Sequence, residues 1–236
     1  MFENALSAEA IQEALEILQH EFPLALWETV YVTLLSTAFA IVLGLPLGIL
    51  LVAGEPQGVL PLPKWLMRAL NVLINLLRSV PFLILMILLF PFTRAVVGTA
   101  VGTVASIVPL VVAAFPFVAR LVESSLRELN PNIIEMSRSM GASPMQTIIK
   151  VMIPEAMPSL ISNATIAITT ILGYTAMSGI VGGGGLGKIA INYGYYRYKY
   201  LVMLLAVILL IVIVQVFQSI GTHLSVKLDK RLKQNH

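Results

Sequence analysis

The chain has 236 residues, of which 58% are hydrophobic and only 11% charged, with a mean hydropathy of +0.90. A water-soluble domain carries about a quarter charged residues. This composition therefore excludes a soluble globular protein and points to a chain built from apolar spans of roughly 20 residues each. No cysteine is present, which excludes disulfide frameworks, thiolate metal sites and cysteine nucleophiles. The formal charge of +3 is small, and its distribution says more than its sum.

In chain order, residues 7–20 read SAEAIQEALEILQH. Ser7 can cap, and Ile11, Leu15 and Leu18 recur at helical spacing, which predicts a short amphipathic leader helix beside the membrane with an acidic face. Glu3, Glu9, Glu13, Glu16 and Glu21 stand where a cleavable signal would carry basic residues, so the first apolar run is expected to stay as a span. That first span covers 24–53. Trp27 and Tyr31 sit at its start as interfacial aromatics do, and Ala40, Gly44 and Gly48 form a small-residue ladder that admits a close helix neighbour. The second span is expected over 65–92, with Arg68, Asn71, Asn75 and Arg78 on one helical stripe. The third covers 96–118 and is expected to bend at Pro109 and Pro116. The fourth covers 160–180 and the fifth 201–220. Linkers are expected at 54–64, 92–99 and 181–199, and the one sizeable polar region lies at 120–158.

Orientation follows from the basic residues, which concentrate on the cytoplasmic side. With the N-terminus outside and five spans, only Arg94, Lys188, Arg197 and Lys199 of the 15 Lys and Arg fall on outward segments. An even number of spans would spoil that asymmetry. The polar region and the C-terminal tail therefore face the cytoplasm. The fold class is all-α integral membrane, with about five transmembrane helices and a short cytoplasmic helical hairpin between spans three and four.

Local rules parse the polar region as that hairpin. Asn130 can cap a helix whose first residue is Pro131. Gly141 suits the left-handed position that ends it. Ser143 opens the next helix, Pro144 takes its first position and Gln146 completes a capping box. Pro154 and Pro158 are expected to restart the chain toward the membrane.

Within this region Glu135, Met136 and Ser137, then Gly141, then Val151, Met152, Ile153 and Pro154 follow the spacing E-A-A-x3-G-x9-I-x-L-P. The region thereby resembles the cytoplasmic signature of type I ABC importer permeases. Glu135, Gly141 and Pro154 match outright, Val151 and Ile153 are conservative replacements, and Met136 and Ser137 depart from the two alanines. The stretches RSVPFLILMILLFPF (78–92), FPFVARLVESSLRELNP (115–131) and GYTAMSGIVGGGGLGKIAINYGYYRY (173–198) are similar to methionine importer permeases. The resemblance implies a single transmembrane domain over 1–236. Its parts would be an external leader (1–23), spans one to three (24–119), the coupling region (120–158), spans four and five (159–222) and a cytoplasmic tail (223–236). It implies a homodimer, two copies of a cytoplasmic ATPase that bind ATP and magnesium, and an external substrate-binding protein. It implies methionine, and close derivatives, as cargo. Glu135, Met136, Ser137, Gly141, Ala142, Ser143 and Pro154 would couple the permease to the ATPase. No cofactor is expected on this chain itself, its surroundings are the inner-membrane bilayer, and no nucleic acid is expected as partner. Two alternatives stay open: a permease of the same class for another small amino acid or metabolite, and a stand-alone secondary transporter.

Other signals are weaker. Residues 182–188, GGGGLGK, satisfy the first part of a P-loop, but Ile189 stands where Ser or Thr should meet magnesium and no strand precedes it. A flexible turn or gate-side loop is expected there, so the chain is read as a non-enzyme that relies on another subunit for energy. His20, His223 and His236 lack metal-ligand spacing. Asn71, Asn75 and Arg78 are candidates for a gate or for interfacial packing. Ser162, Thr165, Thr169, Gly173 and Ala176 share one face of the fourth span, which either borders the translocation path or packs against another helix, and Met177 near its outer end is either a contact for a thioether substrate on that path or apolar filler.

Overall fold

The computed structural model describes residues 8–228, and all described elements are helical. Ser7 and the basic residues Lys230, Arg231 and Lys233 lie outside the described residues. The helices are α1 (Ala8–His20), α2 (Phe22–Ala53), α3 (Lys64–Ser79), α4 (Phe82–Leu88), α5 (Phe90–Val97), α6 (Ile107–Arg127), α7 (Pro131–Ser139), α8 (Pro144–Thr147), α9 (Ile153–Ser178), α10 (Gly185–Ile189) and α11 (Tyr200–Leu228). Wider π-turns occupy Ile148–Met152 and Ala190–Tyr196. Among the described residues, four helices are long and apolar enough to cross a membrane, or five if the interrupted pair α3 and α4 counts as one span.

The chain forms two compact units. The first comprises Met1–Thr37, Pro81–Val112 and Ile168–Phe217, the second Ala38–Val80, Ala113–Ala167 and Gln218–His236. In the first unit, Ala14, Phe22 and Ala25 pack with Leu172, Leu186, Ile189, Val202 and Ala206 in one apolar core. The ring of Phe82 stacks on Tyr174 at 4.7 Å between centroids.

The second unit is held by close backbone approach. A Cβ on Gly44 would lie 2.8 Å from the Phe115 carbonyl oxygen, and one on Gly48 would lie 2.6 Å from that of Ala119. Ala40 on the same face is fully buried. The predicted small-residue ladder is thus the seam between α2 and α6. In a bilayer such seams are favoured by van der Waals packing, because lipid tails remove the hydrophobic drive between helices. Leu51, Ile74 and Ala119 form the adjoining core. A second close approach joins α9 and α11, where a Cβ on Gly221 would come within 2.6 Å of the Thr165 methyl.

Several expectations need correction. The leader helix itself forms as expected over Ala8–His20; Ala14, Ile17 and Leu18 meet the core, while Ile11 and Leu15 are 41% and 50% exposed. Its acidic side is tied down, with Glu13 paired to Lys199 and Glu21 accepting from the Tyr193 hydroxyl. The second run is not one helix. Val80 is extended and Pro81 follows with ψ 136°, so α3 stops at Ser79 and α4 starts afresh. Pro81 has no N–H to give and biases its predecessor away from the helical region. The expected linker at 92–99 falls mostly within α5.

The third span lies further along the chain than predicted. Gly98 and Gly102 take left-handed φ values of 87° and 114°, which ends α5 and delays α6 to Ile107. The helix then runs through the charged residues to Arg127 because those charges are paired, as described below. The fourth span is also longer than predicted, since one helical run extends over Pro144–Val181. Pro154 and Pro158 do not restart the chain. The π-turn at Ile148–Met152 loosens the ladder just ahead of Pro154, where an unbroken α-helix would place a carbonyl against the ring.

Candidate functional site: the coupling hairpin and its supports

The hairpin in the second unit forms as its local sequence dictates. The Asn130 side chain accepts from the Asn132 N–H at 3.0 Å, and Pro131 occupies the first turn of α7. Gly141 takes φ 80° and nothing lies within 4 Å of its missing Cβ, so backbone conformation alone demands glycine there. The Ser143 N–H donates to Gln146 Oε1 at 2.9 Å and Ser143 Oγ accepts from the Gln146 N–H at 3.3 Å, completing the capping box of α8. One contact was not legible in the sequence. Ser137 Oγ and Thr147 Oγ1 lie 3.1 Å apart, both buried, and bond the two arms across the turn.

The outer face of the hairpin is apolar. Met136, Met140 and Met145 are 59%, 80% and 59% exposed. A shallow cavity of about 380 Å3 lies beside them, lined in part by Ile133, Gly141, Gln146 and Val151. Flexible, polarizable methionines on a surface suit docking against an adaptable partner. Glu135 is exposed on α7. Pro154 sits in the first turn of α9, and Ala142 bonds its N–H back to the Ser137 carbonyl at 3.2 Å.

One arginine anchors the hairpin to the rest of its unit, and two more brace the end of α6 that leads into it. Arg138 donates to the Gly58 carbonyl in the α2–α3 connection. Arg127 donates to Glu55 at 2.5 Å and to Glu123 at 2.8 Å. Arg120 donates to Glu123 at 2.6 Å and, through its other nitrogen, to Asn71 and Asn75 at 2.9 Å each. Of the gate candidates Asn71, Asn75 and Arg78, the two asparagines therefore act as acceptors for an arginine, while Arg78 is exposed and stands outside this network. Charge-assisted bonds of this kind satisfy groups that would be costly in an apolar slab.

A polar cavity of about 420 Å3 lies between α6, α9 and α11 in the same unit. Ser159 Oγ donates to Glu128 at 3.0 Å and lies 3.1 Å from Ser125 Oγ. Asn163 donates to Ser125 at 2.8 Å and to the Leu121 carbonyl at 3.1 Å. Ser162 lines this cavity. Sequence reasoning found Ser162 but missed Ser125, Glu128, Ser159 and Asn163, because their association is between helices. Thr165 belongs to the packed seam with Gly221. In the first unit Thr169 is half-buried, Met177 is 40% exposed and Gly173 has open space where a Cβ would sit. The predicted face is thus divided between packing at Thr165 and open surface at Gly173.

The GGGGLGK segment is not a loose turn. Gly183, Gly184, Gly185, Leu186 and Gly187 are buried, while Lys188 is exposed. The N–H groups of Gly185 and Leu186 already bond Glu28 and Thr29 of α2 at 2.8 Å each.

Residues 44–230 match the binding-protein-dependent transport system inner membrane component family. The chain is 48% identical over 208 residues to the probable D-methionine transport system permease protein MetI of Vibrio cholerae, covering 88% of this chain and 92% of that one. It is also 48% identical over 153 residues to the D-methionine transport system permease protein MetI of Escherichia coli K12, covering 65% of this chain and 70% of that one. A solved chain of the MetNI methionine ABC transporter, in an inward-facing conformation, superposes with a TM-score of 0.89 at 43% identity, covering 91% of this chain and 99% of that one. The chain whose hairpin leads directly into this long apolar helix thus belongs to the family of inner-membrane components of binding-protein-dependent transport systems.

Proposed function

We propose that this chain is the permease subunit of an ATP-driven importer that carries methionine, and close derivatives, into the cytoplasm. Two copies would form the pathway, two ATPase subunits would bind the hairpins, and an external binding protein would deliver the cargo. The chain spans the inner membrane several times with its N-terminus outside and its tail in the cytoplasm, as the distribution of basic residues supports. ATP and magnesium belong to the ATPase.

The observation that carries this reading is the hairpin. Its two arms are cross-bonded at Ser137 and Thr147, its apolar tip is exposed, and its second arm continues as one helical run through Val181. Closure of the ATPase pair moves such a rigid knob as a body, and the attached helix carries the motion into the membrane. Glu135 orients the knob by a charge-assisted bond to the ATPase. Met136 and Met140 fill its groove, Gly141 sets the angle between the arms, and the Arg138–Gly58 bond passes the displacement to the α2–α3 connection.

The test is uptake of labelled methionine into proteoliposomes that hold this chain, its ATPase and its binding protein, with ATP on the ATPase side. ATP-dependent uptake that disappears when Glu135 to Gly141 is replaced by a flexible linker is the expected result. Hydrolysis stimulated by a different cargo would keep the class and overturn the cargo. Failure of any ATPase to assemble would overturn the class.

A further inference from the structure

The glycine turn of the first unit is organised around one carboxylate that the coupling mechanism does not use. Glu28, near the start of α2, accepts from the Thr103 hydroxyl through Oε1 and from the Gly185 N–H through Oε2, at 2.8 Å each. Thr29 beside it accepts from the Leu186 N–H at 2.8 Å and donates to the Ala25 carbonyl at 2.8 Å. The Gly102 N–H closes the triangle by donating to the Gly182 carbonyl at 2.8 Å. Three segments remote in sequence thus meet at one side chain: the start of α2, the 98–106 connection and the 179–189 turn. The turn has no steric slack toward it. A Cβ on Gly184 would collide with the Glu28 carboxylate and the Thr103 hydroxyl, and one on Gly185 would lie 2.5 Å from Thr29 Oγ1.

A carboxylate is an expensive way to cap a turn. Thr29 caps the same turn with a single hydroxyl oxygen, and a partly buried carboxyl group costs more desolvation than a hydroxyl. What the carboxylate adds is geometry, because its two oxygens accept from two different segments at once. We propose that Glu28 is a positioning residue of the transport cycle. Its two carboxyl oxygens tie these three segments on the external side into one body that moves together when the ATPase turns over. This inference rests on the importer reading given above.

The experiment measures methionine uptake and ATP hydrolysis in the same proteoliposomes, with the full complex, so that uptake per ATP is independent of the amount of folded protein. Glu28→Gln leaves one acceptor oxygen for two donors and sets an NH2 group against the other. The expected result is that the ATPase still co-purifies and hydrolyses ATP within about twofold of wild type, while uptake per ATP falls by about tenfold or more, the scale of losing a charge-assisted hydrogen bond. Thr103→Val, which removes only one donor at nearly constant shape, lowers the ratio severalfold, and Thr103→Ser retains it. The Glu28→Gln, Thr103→Val double variant is no worse than Glu28→Gln alone, since both remove one shared interaction. Unchanged uptake per ATP in Glu28→Gln, or strictly additive losses in the double variant, overturns the inference. If Glu28→Gln does not assemble, Thr103→Val decides alone, and a wild-type ratio there overturns it. Wild-type complex that assembles but never takes up methionine overturns the cargo reading instead, and the same ratio is then measured with the cargo that stimulates hydrolysis.

Discussion

The coupling hairpin and the glycine turn solve the same local problem by opposite means. Each begins a helix after a glycine in the left-handed region, Gly141 at φ 80° in one and Gly182 at φ 89° in the other. In the hairpin the capping partners are Ser143 and Gln146, three residues apart. In the turn they are Glu28 and Thr29, 157 residues from the N–H groups that they accept. The hairpin can therefore form as a unit and be presented to a partner. The turn exists only when the rest of its unit is folded around it. An open glycine marks the first design and a crowded one the second, and substitutions can separate the two.

The largest effect is expected in the turn. A Cβ on Gly187 would lie 2.5 Å from the Ala176 Cα, with backbone that cannot swing aside. Gly187→Ala should destabilise the protein by about 3 kcal/mol, the upper end for overpacking. The control lies on the same stretch of α9, where Gly173 is exposed and has nothing within 4 Å of its missing Cβ. Gly173→Ala should be neutral or stabilising by up to about 1 kcal/mol, from helix propensity alone. Thermal unfolding of both variants in detergent measures the difference. Equal melting temperatures would mean that the turn is not packed as described.

How much was legible follows from the same distinction. Asn130, Gly141 and the Ser143–Gln146 box were readable because every partner lies within a few residues. The ladder of Ala40, Gly44 and Gly48 was readable as a close-approach face, though not its partner, which is the Phe115–Val122 stretch of α6. Hydropathy placed the third span too early because it scored the apolar residues of 96–106 without their glycine φ values, and stopped at arginines that bond Asn71, Asn75 and Glu55 from other elements and Glu123 within α6. Pro154 and Pro158 were read as breaks because a π-turn that absorbs a proline has no composition of its own. The leader helix was readable from Ile11, Leu15 and Leu18, but its contact with the core through Ala14 was not, because a small side chain leaves no hydropathy signal of its own. The four glycines resembled a phosphate loop because amides freed by glycine suit either an external anion or an internal one, and only the fold supplies Glu28.

A middle-sized effect is expected at Gly141. Since no atom crowds it, the cost of replacement is the left-handed backbone alone, roughly 1–2 kcal/mol for most residues and less for Asn. Gly141→Asn should keep the ATPase bound during purification, whereas Gly141→Val should lower the bound fraction severalfold. If Asn and Val behave alike, the residue's role is contact with the partner and not the angle between the arms.

The smallest effect is expected at Ser143, and it is the most local. Ser143→Ala removes the acceptor for the Gln146 N–H and half of the capping box, a loss of about 1 kcal/mol. Ser143→Asp retains the acceptor and should recover most of it. The Ser137–Thr147 bond holds the far end of the first turn, so the arm should fray at its start without detaching from α7. Hydrogen–deuterium exchange reads this directly. The Gln146 and Thr147 amides should exchange severalfold faster in Ser143→Ala, while those of residues 132–139 stay unchanged. Faster exchange in both arms together would mean that the cap, and not the buried hydroxyl pair, holds the hairpin closed. That result would also shift the coupling argument, because a knob that opens when one cap is lost could not transmit the ATPase stroke as a rigid body.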